Sequence, residues 1–240
     1  MTYCVGLLLR QGIVLLSDTR TNAGLDNIAT YRKMFVFEEP GERVIAILTA
    51  GSLSVTQTTL ARLEEAVQDD SGEAPSILSA PTMLQVAEIV GRTLNAVGQD
   101  VAQKLDSMGQ GASASLIVAG QRKGGAMRMF LVYPEGNFIE ATEDTPYLQI
   151  GEHKYGKPIL DRVIKPDTPL ADAEKAVLLS MDSTLRSNLS VGMPLDLAVI
   201  ERDACRVRSQ RRIEAGDAGF AAMSEAWSQA LREAFRRITL

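Results

Sequence analysis

Four positions near the start of the chain carry residue types that together suit acyl transfer. The chain opens MTYCVGLLLRQG, so removal of Met1 makes Thr2 the first residue. A terminal threonine holds a nucleophile and a base on one residue: its Oγ, and an α-amine with a reference pKa of roughly 7.7–8.0. Asp18 stands in LLSDTRTNAG, and Lys33 in TYRKMFVF just ahead of an apolar strand. A lysine close to Thr2 and Asp18 stabilises the alkoxide form of a hydroxyl nucleophile. In LTAGSLSV the chain passes through Gly51 from a strand into a helix. Backbone N–H groups there point outward at the positive end of the helix dipole and suit an oxyanion. Taken singly, each residue has a plainer account: Thr2 as an ordinary strand residue, SDTRTNAG as a polar loop, Lys33 as a solvated lysine, and Gly51 as a tight turn.

These residues need elements to bring them together. YCVGLLL and IVLLS flank a turn expected at Gln11-Gly12, and MFVFE and RVIAILTA flank EPGE, so the first fifty residues read as hairpins. A turn centred there gives opposed residue numbers summing to about 22 or 23. That register sets Thr2 opposite Arg20 or Thr21 and diagonal to Asp18. The period then changes: Leu53, Thr56, Leu60, Leu63 and Val67 recur at helical spacing, as do Val86, Val90, Leu94, Val97, Val101 and Leu105. DDSGEAPS separates the two helices, and SMGQGAS ends the second. Strands follow at ASLIVAG, AMRMFLVYP and NFIEA. A short helix is expected over 154–163, and a longer one from an N-cap at Thr168 with Pro169 in its first turn. LDLAVIE and CRVRSQRRI are late strands. A last helix carries Phe220, Met223, Trp227, Leu231 and Phe235 on one face, which can bury inside the subunit or between subunits, with the former expected. Because strands arrive in hairpin groups, the order suits two antiparallel sheets stacked face to face with helices outside both, in one domain over 1–240. The stretch from Asp69 to Pro81 reads as a surface loop, not a linker.

Composition narrows the function classes. The 240 residues are 45% hydrophobic and 23% charged with a net charge of −5, an ordinary balance for a globular protein and a poor one for general nucleic-acid binding. The two cysteines lack CxxC spacing and the single histidine is His153, so no zinc motif or multi-histidine site is expected, and no cofactor is implied. VGLLL is too short for a signal-peptide core, and charges interrupt the early apolar runs, so neither export nor a membrane span is expected and the cytoplasm fits.

As an ordered set, the initial threonine, SDTR, the lysine before the third long strand and TAGS resemble the proteasome β-subunit superfamily of N-terminal nucleophile hydrolases. LLSDTRTNAG, YRKM and IGEHKYGKPILDR are most similar to its bacterial ancestral β-subunit (Anbu) group, related to HslV. The resemblance implies an α+β fold, a four-layer αββα sandwich, and assembly into a homo-oligomeric ring or open spiral. It implies Thr2 as nucleophile, Lys33 as activating lysine, Asp18 as its charge partner and Gly51 as oxyanion donor. Ser190 is retained from a supporting Arg-Asp-x-x-Ser pattern, here RSNLS, whose aspartate position is Ser187. Thr21, Tyr31, Thr49 and Leu53 fall near the pocket for the residue before the cleaved bond. Glu152 replaces the serine of a Gly-Ser-Gly turn.

The expected activity is peptide or other amide hydrolysis by Thr2 after Met1 removal, on peptides or unfolded polypeptide. Two alternatives stand beside it: a binding or assembly scaffold with little hydrolytic activity, and a small-amide hydrolase or acyltransferase. The chain has no P-loop pattern, so an ATPase or adaptor would be a separate protein.

Overall fold

The computed structural model describes residues 1–22, 28–69, 75–105 and 112–239. Parts of the loops expected at DDSGEAPS and SMGQGAS, and the side chain of Leu105, lie outside the described residues.

Two five-stranded antiparallel sheets form the centre. The first runs in the order β10 (Tyr147–Gly151), β1 (Tyr3–Leu9), β2 (Gly12–Asp18), β11 (Leu195–Glu201), β12 (Val207–Ile213). The second runs β5 (Met34–Glu39), β6 (Arg43–Gly51), β7 (Ala114–Arg122), β8 (Arg128–Val132), β9 (Phe138–Glu140). A short hairpin, β3 (Arg20–Asn22) with β4 (Ile28–Thr30), occupies part of the stretch expected to be a polar loop.

The period-2 pattern of the strands sorts their side chains between three apolar layers. On β1, Tyr3, Val5, Leu7 and Leu9 face α3 (Lys157–Val163) and α4 (Leu170–Ser187), while Cys4 turns to the other sheet. On β6, Ile45 and Ile47 face α1 (Leu53–Gln68) and α2 (Met83–Leu105), while Val44, Ala46 and Leu48 face the first sheet. Helices thus cover both outer faces, and the fold is the αββα sandwich of two stacked antiparallel sheets. Gly6 lets the sheets close: a Cβ there would stand 2.6 Å from Met129 Sδ and 3.0 Å from Leu15 Cδ2.

The structure corrects four expectations. The first hairpin turns at Arg10-Gln11, and Gly12 already belongs to β2, where a Cβ would collide with the Ile200 carbonyl of β11. Cys4 therefore pairs with Ser17 and Leu9 with Gly12, one step away from the expected register. Continued by one pair, this sets Asp18 opposite Tyr3, not diagonal to Thr2. The strand β10, unmarked in the sequence reading, forms the edge beside β1. Helix α3 starts at Lys157, after turns at 153–156. Pro169, not Thr168, caps α4, and the Thr168 hydroxyl accepts from Lys165 N–H instead.

The final helix α5 (Ala218–Arg237) is capped by Asp217, whose carboxylate accepts from Phe220 N–H at 2.7 Å. Phe220 and Met223 pack partly against the first core, but Leu231 is 49% and Phe235 80% exposed. The apolar stripe is half-buried from Phe220 through Trp227, where the helix packs beside α4, and exposed from Leu231 onward. No described helix is long and apolar enough to cross a membrane.

Gly6 supplies a test of the sheet contact. Gly6→Val should destabilise the chain by about 1–3 kcal/mol through overpacking against Met129 and Leu15, measured by urea denaturation. Gly6→Ala should cost less, because the Met129 thioether can move.

Candidate active site

Asp18 ends β2 in the first sheet, and Lys33 immediately precedes β5 in the second. Their side chains meet between the sheets as an ion pair of 2.8 Å, with side-chain exposures of 0% and 6% respectively. Burying two charges is costly unless every donor and acceptor is engaged. Here they are. Asp18 Oδ1 accepts from Lys33 Nζ and from Tyr3 N–H at 3.1 Å, and Oδ2 accepts from Gly192 N–H at 3.3 Å. Lys33 Nζ also donates to the Arg20 carbonyl at 2.6 Å and, more weakly, to the Met1 carbonyl at 3.4 Å. Thr49 N–H, on β6, donates to the Lys33 carbonyl and holds its backbone. Burial pushes the Asp18 carboxyl above its ordinary value, opposed by Lys33 and the two N–H donors.

Above this pair lies a hollow of about 430 Å³. Thr2, Thr21, Lys33, Thr49, Gly51 and Leu53 all line it, joined by Met1, Thr56 and Glu152. They come from several parts of the fold. Thr2 precedes β1, Thr21 sits on β3, Thr49 and Gly51 on β6, and Leu53 opens α1. Thr2 is 8% exposed and is fixed by its carbonyl, which accepts from Glu152 N–H at 2.7 Å. Gly151, at φ +80°, lies so close that a Cβ would collide with that same carbonyl. Gly51 has φ +112°, and a Cβ there would strike the Ser113 carbonyl. Its glycine is therefore demanded by β6–β7 packing, independently of any ligand.

Two expected positions lie outside this hollow. Tyr31, 39% exposed, lines a neighbouring hollow of about 320 Å³ that shares Thr49, Leu53 and Thr56 with the first. Ser190 lines neither: it follows α4, and its N–H donates to Asn188 Oδ1 at 2.9 Å. The same turn does reach the site through backbone, by way of Gly192 N–H on Asp18 and the Leu189 carbonyl, which accepts from Arg20. Ser187 is exposed at the end of α4. Backbone partners such as Gly192 leave no side-chain signal in a sequence. Thr56 does leave one, since it follows Leu53 by three residues and shares its helix face.

The surroundings are apolar and tightly held. Tyr3, beside Thr2, is fully buried, with its hydroxyl bonded to Ser180 Oγ and Gln149 Nε2, and burial pushes it up to about 12. Burial also pushes the Cys4 thiol up. Among the described residues, no group of three or more His, Cys, Asp or Glu is placed to hold a metal ion.

The ion pair yields a stability test. Lys33→Ala leaves a buried carboxylate alone and should cost about 3–5 kcal/mol in urea denaturation. Asp18 without Lys33 would have a folded pKa further above its unfolded value, so stability is lost as pH rises between the two. The penalty should therefore be larger at pH 8 than at pH 5. The double variant Lys33→Met with Asp18→Asn should recover most of it, because no charge remains to bury.

The chain's likenesses agree with this architecture. The proteasome-subunit family matches residues 2–200. No curated protein sequence matches. Among solved structures, a Gly-1 mutant of Anbu from Hyphomicrobium sp. strain MC1 is 48% identical, covering 100% of this chain and 99% of its own, with a TM-score of 0.92. Anbu, the ancestral β-subunit, from Yersinia bercovieri is 41% identical over 99% and 98%, with a TM-score of 0.92. Anbu from Pseudomonas aeruginosa, solved as a helical assembly, is 43% identical over 99% and 97%, with a TM-score of 0.93. With a family match over most of its length and relatives this similar from end to end, the chain belongs to the proteasome-subunit family and to the Anbu group within it.

Proposed function

We propose that this protein is an N-terminal threonine hydrolase that cleaves peptide or related amide bonds once Met1 is removed. The observation that carries this reading is the buried Lys33–Asp18 pair set directly beneath the hollow that Thr2 lines. A scaffold has no need to bury two charges there, and their position suits a cation that stabilises an alkoxide on Thr2. Removal of Met1 does two things at once. It frees the α-amine of Thr2, and it releases the Lys33 N–H held by the Met1 carbonyl.

In the reaction, Thr2 Oγ attacks the amide carbonyl carbon while its proton passes to the α-amine. The Gly51 N–H supports the oxyanion, and collapse expels the leaving amine, which takes up the proton. Water then attacks the acyl ester, and the carboxylic acid departs as Thr2 Oγ is regenerated. Thr21, Thr49 and Leu53 hold the residue before the cleaved bond, with Tyr31 at the far wall. The Asp18 carboxylate keeps Lys33 in place, and the turn containing Ser190 supports Asp18 through Gly192.

Homo-oligomeric assembly is part of the proposal, supported by the helical assembly of the Pseudomonas aeruginosa relative. Packed copies would screen the hollow from folded proteins and admit extended peptides. A second reading keeps the fold as a non-hydrolytic assembly protein. It is favoured by Glu152 in the hollow and by Ser187 and Ser190 lying away from it.

An intact-mass measurement before and after incubation with a peptide epoxyketone separates the two. That reagent bridges a hydroxyl and a free amine on one residue. The hydrolase reading expects loss of Met1 and a single adduct, absent in Thr2→Ala. A processed chain that refuses the reagent and leaves a panel of fluorogenic peptides uncut favours the assembly protein.

A further inference from the structure

Among the described residues that line the hollow, one acidic residue stands apart from the Lys33–Asp18 pair. Glu152 lines it beside Thr2, with its N–H on the Thr2 carbonyl and its side chain 17% exposed. The cation paired with it, Lys154, stands 3.8 Å away on a side chain that is 67% exposed, beyond hydrogen-bond reach. Among the described residues, the other charged groups around Thr2 are engaged elsewhere. Asp18 has both oxygens occupied, Lys33 is committed to Asp18 and the Arg20 carbonyl, and the Arg20 guanidinium donates to the Leu189 carbonyl. The His153 ring belongs to an adjoining hollow and stands 3.1 Å from the Gly151 carbonyl. The positive charge that best complements Glu152 is therefore one the chain itself creates.

We propose that Glu152 is a positioning residue for Thr2: its carboxylate takes the freed α-ammonium as an ion pair, orients it in the hollow and holds its proton into the alkaline range. The inference rests on the reading of Thr2 as a terminal nucleophile. The sign follows from charge. A neighbouring carboxylate favours the protonated amine and moves its pKa up, whereas Lys33 acts in the opposite sense but is offset by Asp18. Partial exposure of Glu152 limits the shift to about one unit above the usual 7.7–8.0. Near neutrality the unprotonated amine, which is the base, is then about tenfold scarcer than it would be without Glu152. The enzyme is consequently restrained at neutral pH and gains activity as the pH rises.

The test reads the amine directly and needs no turnover. The full-length chain is prepared with Thr2 first, by cleaving off a fused leader protein where Met1 persists. Competitive labelling with acetic anhydride across the pH range, followed by mass spectrometry of the terminal peptide, gives the α-amine pKa. The wild-type amine should titrate about one unit above its reference value, Glu152→Gln should return it there, and Glu152→Asp should keep most of the shift. The pH at which epoxyketone labelling reaches half its maximum should move with it. Equal amine pKa values in wild type and Glu152→Gln would overturn the proposal. So would an unmoved amine accompanied by a raised KM for lysine-bearing peptides alone, which would make Glu152 a substrate-cation site. A shifted amine with no epoxyketone adduct would leave the Glu152 pairing standing and remove the hydrolase reading.

Discussion

The Lys33–Asp18 ion pair joins the two sheets where the site is built. One partner hangs from the end of β2 in the first sheet and the other from the start of β5 in the second. Such a pair contributes little net stability, because desolvation of both charges offsets their attraction. Its effect is geometric: with Asp18 held by Tyr3 and Gly192 N–H groups, Lys33 has one place to put its ammonium. The proposed reaction depends on that cation being fixed below Thr2 and shielded from water, where its field is screened least.

Close backbone approach provides the second constraint. Gly6 lets the sheets meet, Gly12 lets β2 lie against β11, and Gly151 lets the end of β10 press on the Thr2 carbonyl. Thr2 is thereby fixed through its carbonyl by the end of β10, while the first turn of α1 lines the hollow beside it. On the proposed reading, a nucleophile held at the start of a packed strand loses little further freedom when a substrate arrives, the condition under which orientation contributes most to rate. The same rigidity explains why Gly51 cannot be read as a substrate signal alone, since its neighbours on β7 already require it.

Met1 occupies a telling place in this arrangement. Its carbonyl takes one Lys33 donor at 3.4 Å and its chain lines the hollow while remaining largely exposed. The place of the terminal charge differs between the two forms. With Met1 present, the Thr2 nitrogen is a neutral amide and the α-ammonium belongs to Met1; in the processed form proposed above, the α-ammonium belongs to Thr2 itself.

How much of this was legible in the sequence depends on whether the signal was local. Hydrophobic period marked the hairpins and the helices α1, α2 and α5, because burial of a strand face or a helix stripe is written at spacings of two or of three and four, whereas α4 was marked by its Thr168-Pro169 start. Thr2, Asp18, Lys33 and Gly51 were legible as an ordered set, through their residue types and their places at strand ends. The register of the first hairpin was not, because a turn at Gln11-Gly12 and one at Arg10-Gln11 differ by one residue, and only the contact of Gly12 with β11 separates them. Strand β10 was missed for a related reason: YLQIG is short, and its place beside β1 comes from pairing across more than a hundred residues of chain. The convergence on Asp18 of backbone N–H groups from Tyr3 and Gly192, and the choice of Gly192 over Ser190 as the contact, arise from main-chain atoms that every residue type carries. The sequence by itself thus determined which groups are present and which face each element buries, since those follow from side-chain chemistry and local period. Tertiary structure decided which of those groups meet, because that depends on register and on the approach of backbones distant in the chain.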